Sequence, residues 1–239
     1  MAYRVPGKLI LKQGSTQSVV LEGDKETLAK VETDVENGKL VIGREGKRWM
    51  DWSWRDENKI TAYVTVTNLE AVSVSGSGNL TGDGKFSTGD LELKVSGSGS
   101  LDMEVDVKGM MSADVSGSGN VKVKGSCQNF DSSISGSGKV DAQVSISGKA
   151  EVSISGSGKI VASGTANEIK AKISGSGKVL ASNLEVSRCD VRISGSGDVE
   201  INVKDALDAN ISGSGSVSYK GSPSQLNSHS SGSGHVRKM

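Results

Sequence analysis

The sequence predicts an all-β fold, a three-sided, single-stranded, right-handed parallel β-helix with an irregular N-terminal β cap. Three observations predict it. Ser-Gly-Ser-Gly occurs nine times, starting at Ser75, Ser96, Ser116, Ser135, Ser155, Ser174, Ser194, Ser212 and Ser231, in steps of 18 to 21 residues. A fixed period near 20 marks a solenoid. The residue before each copy is Val or Ile from Val74 to Ile211, and the second residue past each copy is always Leu, Val or Ile, from Leu80 to Val236. Alternation with β-branched enrichment on both sides of a glycine turn marks two short strands with one buried face. A flexible Ser-Gly linker has no reason to keep that register.

In chain order, residues 1–70 come first; they lack the repeat and are expected to form a β-strand head or cap. Leu9-Ile10-Leu11, Ser18 to Leu21, Leu28 to Val35 and Leu40 to Ile42 are short apolar or alternating runs, separated by Gly14, Gly23-Asp24 and Asn37-Gly38. Asn-Gly is a strong tight-turn signal. The end of a solenoid exposes core and strand edges, so an atypical cap is expected there.

All three tryptophans, Trp49, Trp52 and Trp54, fall in Arg48 to Arg55 of a chain that is only 3% aromatic. Two readings stand: a hydrophobic lid over the end of the core, or a stacking platform for a sugar or another protein.

Residues 71–239 are expected to supply nine coils as one structural unit. A coil of about 20 residues at about 3.3 Å each has a perimeter near 66 Å, and nine coils stack to about 40 Å. Inward positions are expected five, seven and about eleven residues past the first Ser, as at Val140, Ala142 and Ile146. With the apolar positions before each tetrapeptide they make three short faces. Parallel crossovers are overwhelmingly right-handed. The glycines suit a sharp, repeatedly stacked corner where a Cβ would collide. The serines are expected to form ladders whose hydroxyls bond along the stack or to the turn amides; the alternative is a ligand-binding ladder, with corner amides for anions.

The repeated [Val/Ile]-Ser-Gly-Ser-Gly-x-[Val/Leu/Ile] motif, preceded by Leu9 to Gln13, Gly38 to Ile42 and Ile60 to Val66, resembles the head GIN domain family, labelled "putative auto-transporter adhesin". The resemblance spans nearly the whole chain. It implies a parallel β-helix and residence in the envelope of Bacteroidetes-type bacteria; it carries over no catalytic residues. It also implies export, whereas Met1-Ala2-Tyr3-Arg4 precedes no apolar signal region. The expectation is therefore that a targeting segment was removed from this chain.

The residue after each tetrapeptide forms a column that includes Lys139, Lys159 and Lys178. Stacked lysines about 5 Å apart repel unless screened, and Asp141 and Asp198 are placed to relieve them. The column is either a solvated edge or a contact for an anionic glycan. Cys127 and Cys189 belong to coils three apart, about 14 Å, too far for a disulfide. They are expected free and buried.

Lys plus Arg equal Asp plus Glu at 28 each, so net charge gives no support for nucleic acid as a partner. No stretch reaches the roughly 18 apolar residues of a membrane helix. His229 and His235 lack a supporting metal motif, and no cofactor or catalytic residue is expected. The function expected is a non-enzymatic, exported structural or cell-adhesion module, with a glycan or another surface protein as partner. The alternatives are a carbohydrate-binding module of a polysaccharide-scavenging system and, after that, a polysaccharide lyase or hydrolase.

Overall fold

The structure, a computed structural model, describes residues 1–44 and 60–239; Trp49, Trp52 and Trp54 lie outside the described residues. It is a parallel β-solenoid of about eight turns. Nine tetrapeptide corners bound those turns, each corner stacked on the next. The glycine ladder runs in register from Gly76 to Gly97, Gly117 and Gly136, then through Gly156, Gly175, Gly195 and Gly213.

Each rung contributes to two ladders, one before the tetrapeptide and one after it. In the rung from Asn120, the backbone breaks at Gly125 (φ 138°), at Gln128 and at the tetrapeptide. The three resulting stretches are the three short faces that the repeat predicts. Inward columns are filled by small and branched residues. Val140, Ala142, Val144 and Ile146 on one side and Ala150, Val152 and Ile154 on the other are all buried. Position nine past the first Ser joins the inward set at Val105 and Val144, where alternation runs on, whereas the rungs beside them turn there at Gly125 and Gly164. Full burial of each Val or Ile side chain contributes about 1.5–3 kcal/mol, so a continuous column is the main cohesive term.

The N-terminal region builds the same cross-section without the repeat. Strands β1 (Ala2–Tyr3) and β2 (Gly7–Gln13) form a rung of their own. Next come β3 (Ser18–Glu22), the short helix α1 (Lys25–Leu28), β4 (Val31–Glu36), β5 (Lys39–Arg44) and β6 (Ile60–Val66). The first repeat rung is β7 (Ala71–Gly76) and β8 (Asn79–Thr88). β1 pairs in parallel with β5 on one side and β7 on the other, while β2 lies between β6 and β8. The chain thus passes over its own first rung before the regular stacking begins.

β3 and β4 cap this end by antiparallel pairing with β6 and β5. Antiparallel strands interrupt the parallel template and so close the edge to further stacking. Asn37 (φ 51°) and Gly38 (φ 75°) make the β4–β5 hairpin that the Asn-Gly signal predicts. The expected strand from Leu28 begins only at Val31. The preceding residues wind into α1, whose first amides are capped by Asp24: its carboxylate accepts from Thr27 N–H at 2.9 Å.

At the far end, Gln225–Ser231 and His235–Lys238 each pair on one side only among the described residues. Ser228 and Ser230 take inward positions there and are exposed. Both cysteines are free and buried, with Cys189 in the column of Ile169 and Leu207. Burial pushes each thiol up to about 12.

Candidate functional site

The tetrapeptide corner is flat because two different neighbours forbid side chains there. Gly156 has φ 120°, and a Cβ on it would meet the carbonyl oxygen of Gly136, one rung below, at 2.6 Å. Gly158 has ordinary backbone angles, yet its Cβ would meet Ile134 Cγ2 at 2.5 Å. The first glycine therefore admits the neighbouring backbone. The second admits the branched residue that precedes the tetrapeptide below, which is why Val or Ile recurs there.

Corner amides do not form an anion site. Ser157 N–H donates to Gly136 C=O at 3.0 Å and Lys159 N–H to Gly138 C=O at 3.0 Å, and the pattern repeats along the stack. The tetrapeptide hydroxyls behave otherwise than expected. Among the described residues, none of them has a hydrogen-bond partner within the protein, and the first Ser of each copy from Ser96 to Ser231 is exposed. The serine ladder faces solvent because rung-to-rung amide bonding already holds the corner together.

On one side of the corner, Lys139, Lys159 and Lys178 stand in register as the sequence predicts. Lys139 pairs with Asp141 at 3.0 Å and Lys178 with Asp198 at 2.9 Å. Lys159, between them, has no ion pair among the described residues. Asp198 accepts from Ser216 Oγ as well as from Lys178, and these bonds hold its carboxyl below the usual range. The same pair raises the Lys178 ammonium.

The other side carries a feature that the charge pattern alone does not single out. A groove of about 710 Å³ runs beside the corner from the rung of Ser133 to the terminal rung of His229. Its floor is the column Ile134, Ile154, Ile173, Ile193 and Ile211, each 2% exposed. One wall is the free serine row. The other is the column two residues before each tetrapeptide, which includes Lys172, Arg192, Asn210 and His229. No Asp or Glu lines it among the described residues. Lys172 reaches Glu151 at 2.8 Å and Arg192 reaches Asp190 at 3.3 Å, both carboxylates lying one column further from the corner. Reading that column down the repeats (Lys94, Asp114, Ser133, Ser153, Lys172, Arg192, Asn210, His229) shows the loss of acid that could have flagged it.

Among the described residues no cluster of three or more His, Cys, Asp or Glu is arranged to hold a metal ion. Asp131 lies near Asp114 and Glu151. Burial first, and these two charges second, raise its carboxyl above the ordinary range.

Comparison with known proteins places this geometry. The family described as "Putative auto-transporter adhesin, head GIN domain" matches residues 4–160 and 146–223. Among solved structures, a protein from Parabacteroides distasonis described as a putative lipid binding protein superposes with TM-score 0.73 at 22% identity, over 100% of this chain and 91% of that one. A putative adhesin from the same species gives 0.71 at 22% identity, over 100% and 92%. Another from Parabacteroides merdae gives 0.69 at 22% identity, over 100% and 91%. At this identity the likeness shows a shared fold alone. No curated protein sequence matches the chain.

Proposed function

The chain belongs to the head GIN domain family, "putative auto-transporter adhesin", and from that premise we propose that it is a non-enzymatic structural and cell-adhesion module, exported to a bacterial envelope. The observation that carries this reading is the repetition of one surface. The outward tetrapeptide serines recur rung after rung at a fixed spacing of about 4.8 Å, on a scaffold whose corners are locked by backbone bonds. A surface of that kind engages an extended or repetitive partner at many equivalent points, where weak contacts add through avidity. Among the described residues no helix is long and apolar enough to cross a membrane.

A carbohydrate-binding role is the second reading, and the groove with its free hydroxyl row favours it. Lipid binding inside the solenoid has less support. Where Phe130, Val144, Val152 and Leu184 meet, the interior void is only about 10 Å³, too small for an acyl chain.

The test is retention of beads coated with the purified protein on glycan- and protein-coated surfaces. Saturable retention, competed by soluble protein, is expected. Absence of retention on every surface, or release of products from acidic polysaccharides in turnover assays, contradicts the proposal.

A further inference from the structure

Building on the adhesive reading above, we propose that the groove beside the tetrapeptide corner binds an extended anionic polysaccharide, with Lys172 and Arg192 contacting its acid groups.

The shape sets the first constraint. The groove crosses six rungs, from Ser133 to His229. Five steps of about 4.8 Å give a length near 24 Å. A trough of about 710 Å³ spread over that length is narrow, and suits a linear chain rather than a compact ligand.

The lining sets the second constraint. The stacked backbone of the Ile134-to-Ile211 column, flanked by serine Cβ groups, makes a flat floor against which the C–H faces of sugar rings can lie. Alongside runs a row of serine hydroxyls, from Ser135 to Ser231, with no intramolecular partner to surrender. Hydroxyls donate and accept, as sugar hydroxyls do. The groove contains no Phe, Tyr or Trp, and its one imidazole, His229, lies at the end, so the row of stacking rings that single-stranded nucleic acid uses is missing.

Charge sets the third. Lys172 and Arg192 stand on adjacent rungs, His229 lies at the open end, and no carboxylate faces the groove among the described residues. Glu151 and Asp190 hold the two cations from the side away from the corner. Arg192 makes one contact at 3.3 Å, leaving most of its guanidinium donors free. Exposed pairs of this kind are weak, so a ligand carboxylate or sulfate can share or replace them. Binding should therefore weaken with salt.

The experiment is calorimetric titration of the whole chain with oligogalacturonate, with malto-oligosaccharide as the neutral probe and a single-stranded oligonucleotide as the nucleic-acid probe. Oligogalacturonate is expected to bind, more weakly as salt rises, and at least tenfold more tightly than the neutral probe. Lys172→Gln and Arg192→Gln should each weaken it about tenfold, as expected for loss of a charge-assisted contact, whereas Lys124→Gln should leave it unchanged. Ser174→Phe, which fills the groove, should abolish binding. Thermal unfolding of each variant separates lost binding from lost fold.

Equal binding of the neutral probe or of the oligonucleotide overturns the proposal. So does insensitivity to Lys172→Gln and Arg192→Gln, or loss in Lys159→Gln in their place, which moves the contact across the corner. If no probe binds while coated beads are still retained, this inference falls and the adhesive reading stands. If retention also fails, both fall.

Discussion

The corner at Arg4–Gly7 and the corner at Ser155–Gly158 occupy the same column of the solenoid, yet only the second is built of serine and glycine. Tyr3 and Lys8 pair with Val74 and Asn79, which fixes Arg4 to Gly7 opposite the first tetrapeptide. That N-terminal corner carries three residues with side chains and keeps one glycine. Gly7 (φ 120°) sits where a Cβ would strike the carbonyl oxygen of Ile60 in the next rung. Gly76, at the start of the repeat, shows the converse. It has φ 84°, but a Cβ on it would meet nothing within 4 Å. Glycine is thus demanded chiefly by the approach of the neighbouring backbone, and the repeat arises where every corner is approached by another of its kind.

Substitution separates the two kinds of corner. Gly156→Ala combines a forbidden backbone angle with a rung-to-rung collision and should cost at least about 3 kcal/mol. Gly7→Ala should do likewise, while Gly76→Ala should cost only about 1–2 kcal/mol. Urea unfolding midpoints measure all three, and equal losses at Gly76 and Gly156 would refute the distinction. A smaller contrast separates the core column from the cap. Ile154→Ala should cost about 2–5 kcal/mol, whereas Val35→Ala, on a cap residue 71% exposed, should stay within about 0.5 kcal/mol.

The smallest effect is a pH signature confined to the repeat. Because the folded Asp131 carboxyl is raised, the folded state holds its proton at pH values where the unfolded chain has released it. That contribution is present below the ordinary carboxyl value and is lost as pH rises through the folded value. Asp131→Asn should therefore stabilise the protein slightly at neutral pH. Relative to wild type, the gain should vanish in acid, as read by thermal melts at both pH values.

Much of this fold is legible in the sequence, because its determinants are local and repeated. The register of the tetrapeptides, the alternation around Val140 or Ile154, the Asn37-Gly38 hairpin and the buried, unpaired cysteines are all consequences of spacing. The threading of β1 and β2 between later rungs is not. Leu9 to Leu11 reads as a strand, but which neighbour it takes depends on contacts more than 50 residues away. α1 is hidden by its length, although Asp24 gives a capping signal three residues before Thr27.

At the site, the lysine column and the relief of Lys139 and Lys178 by Asp141 and Asp198 are visible from recurrence. The groove is not, because it arises from a flat corner meeting a column whose residue types vary. A serine ladder bonded to itself is the natural expectation from the repeat. The backbone amides satisfy the corner first, and the hydroxyls are left to solvent.

These columns stack one rung per repeat, and distances between paired labels measure that stacking. Nitroxide spin labels on cysteines introduced at Ser96 and Ser174 should lie about 19 Å apart, and at Ser96 and Ser212 about 29 Å, allowing for label reach, since four and six rungs separate them at about 4.8 Å each. Pulsed electron paramagnetic resonance is expected to find separation growing in proportion to rung number. Distances that fail to grow from the first pair to the second contradict it.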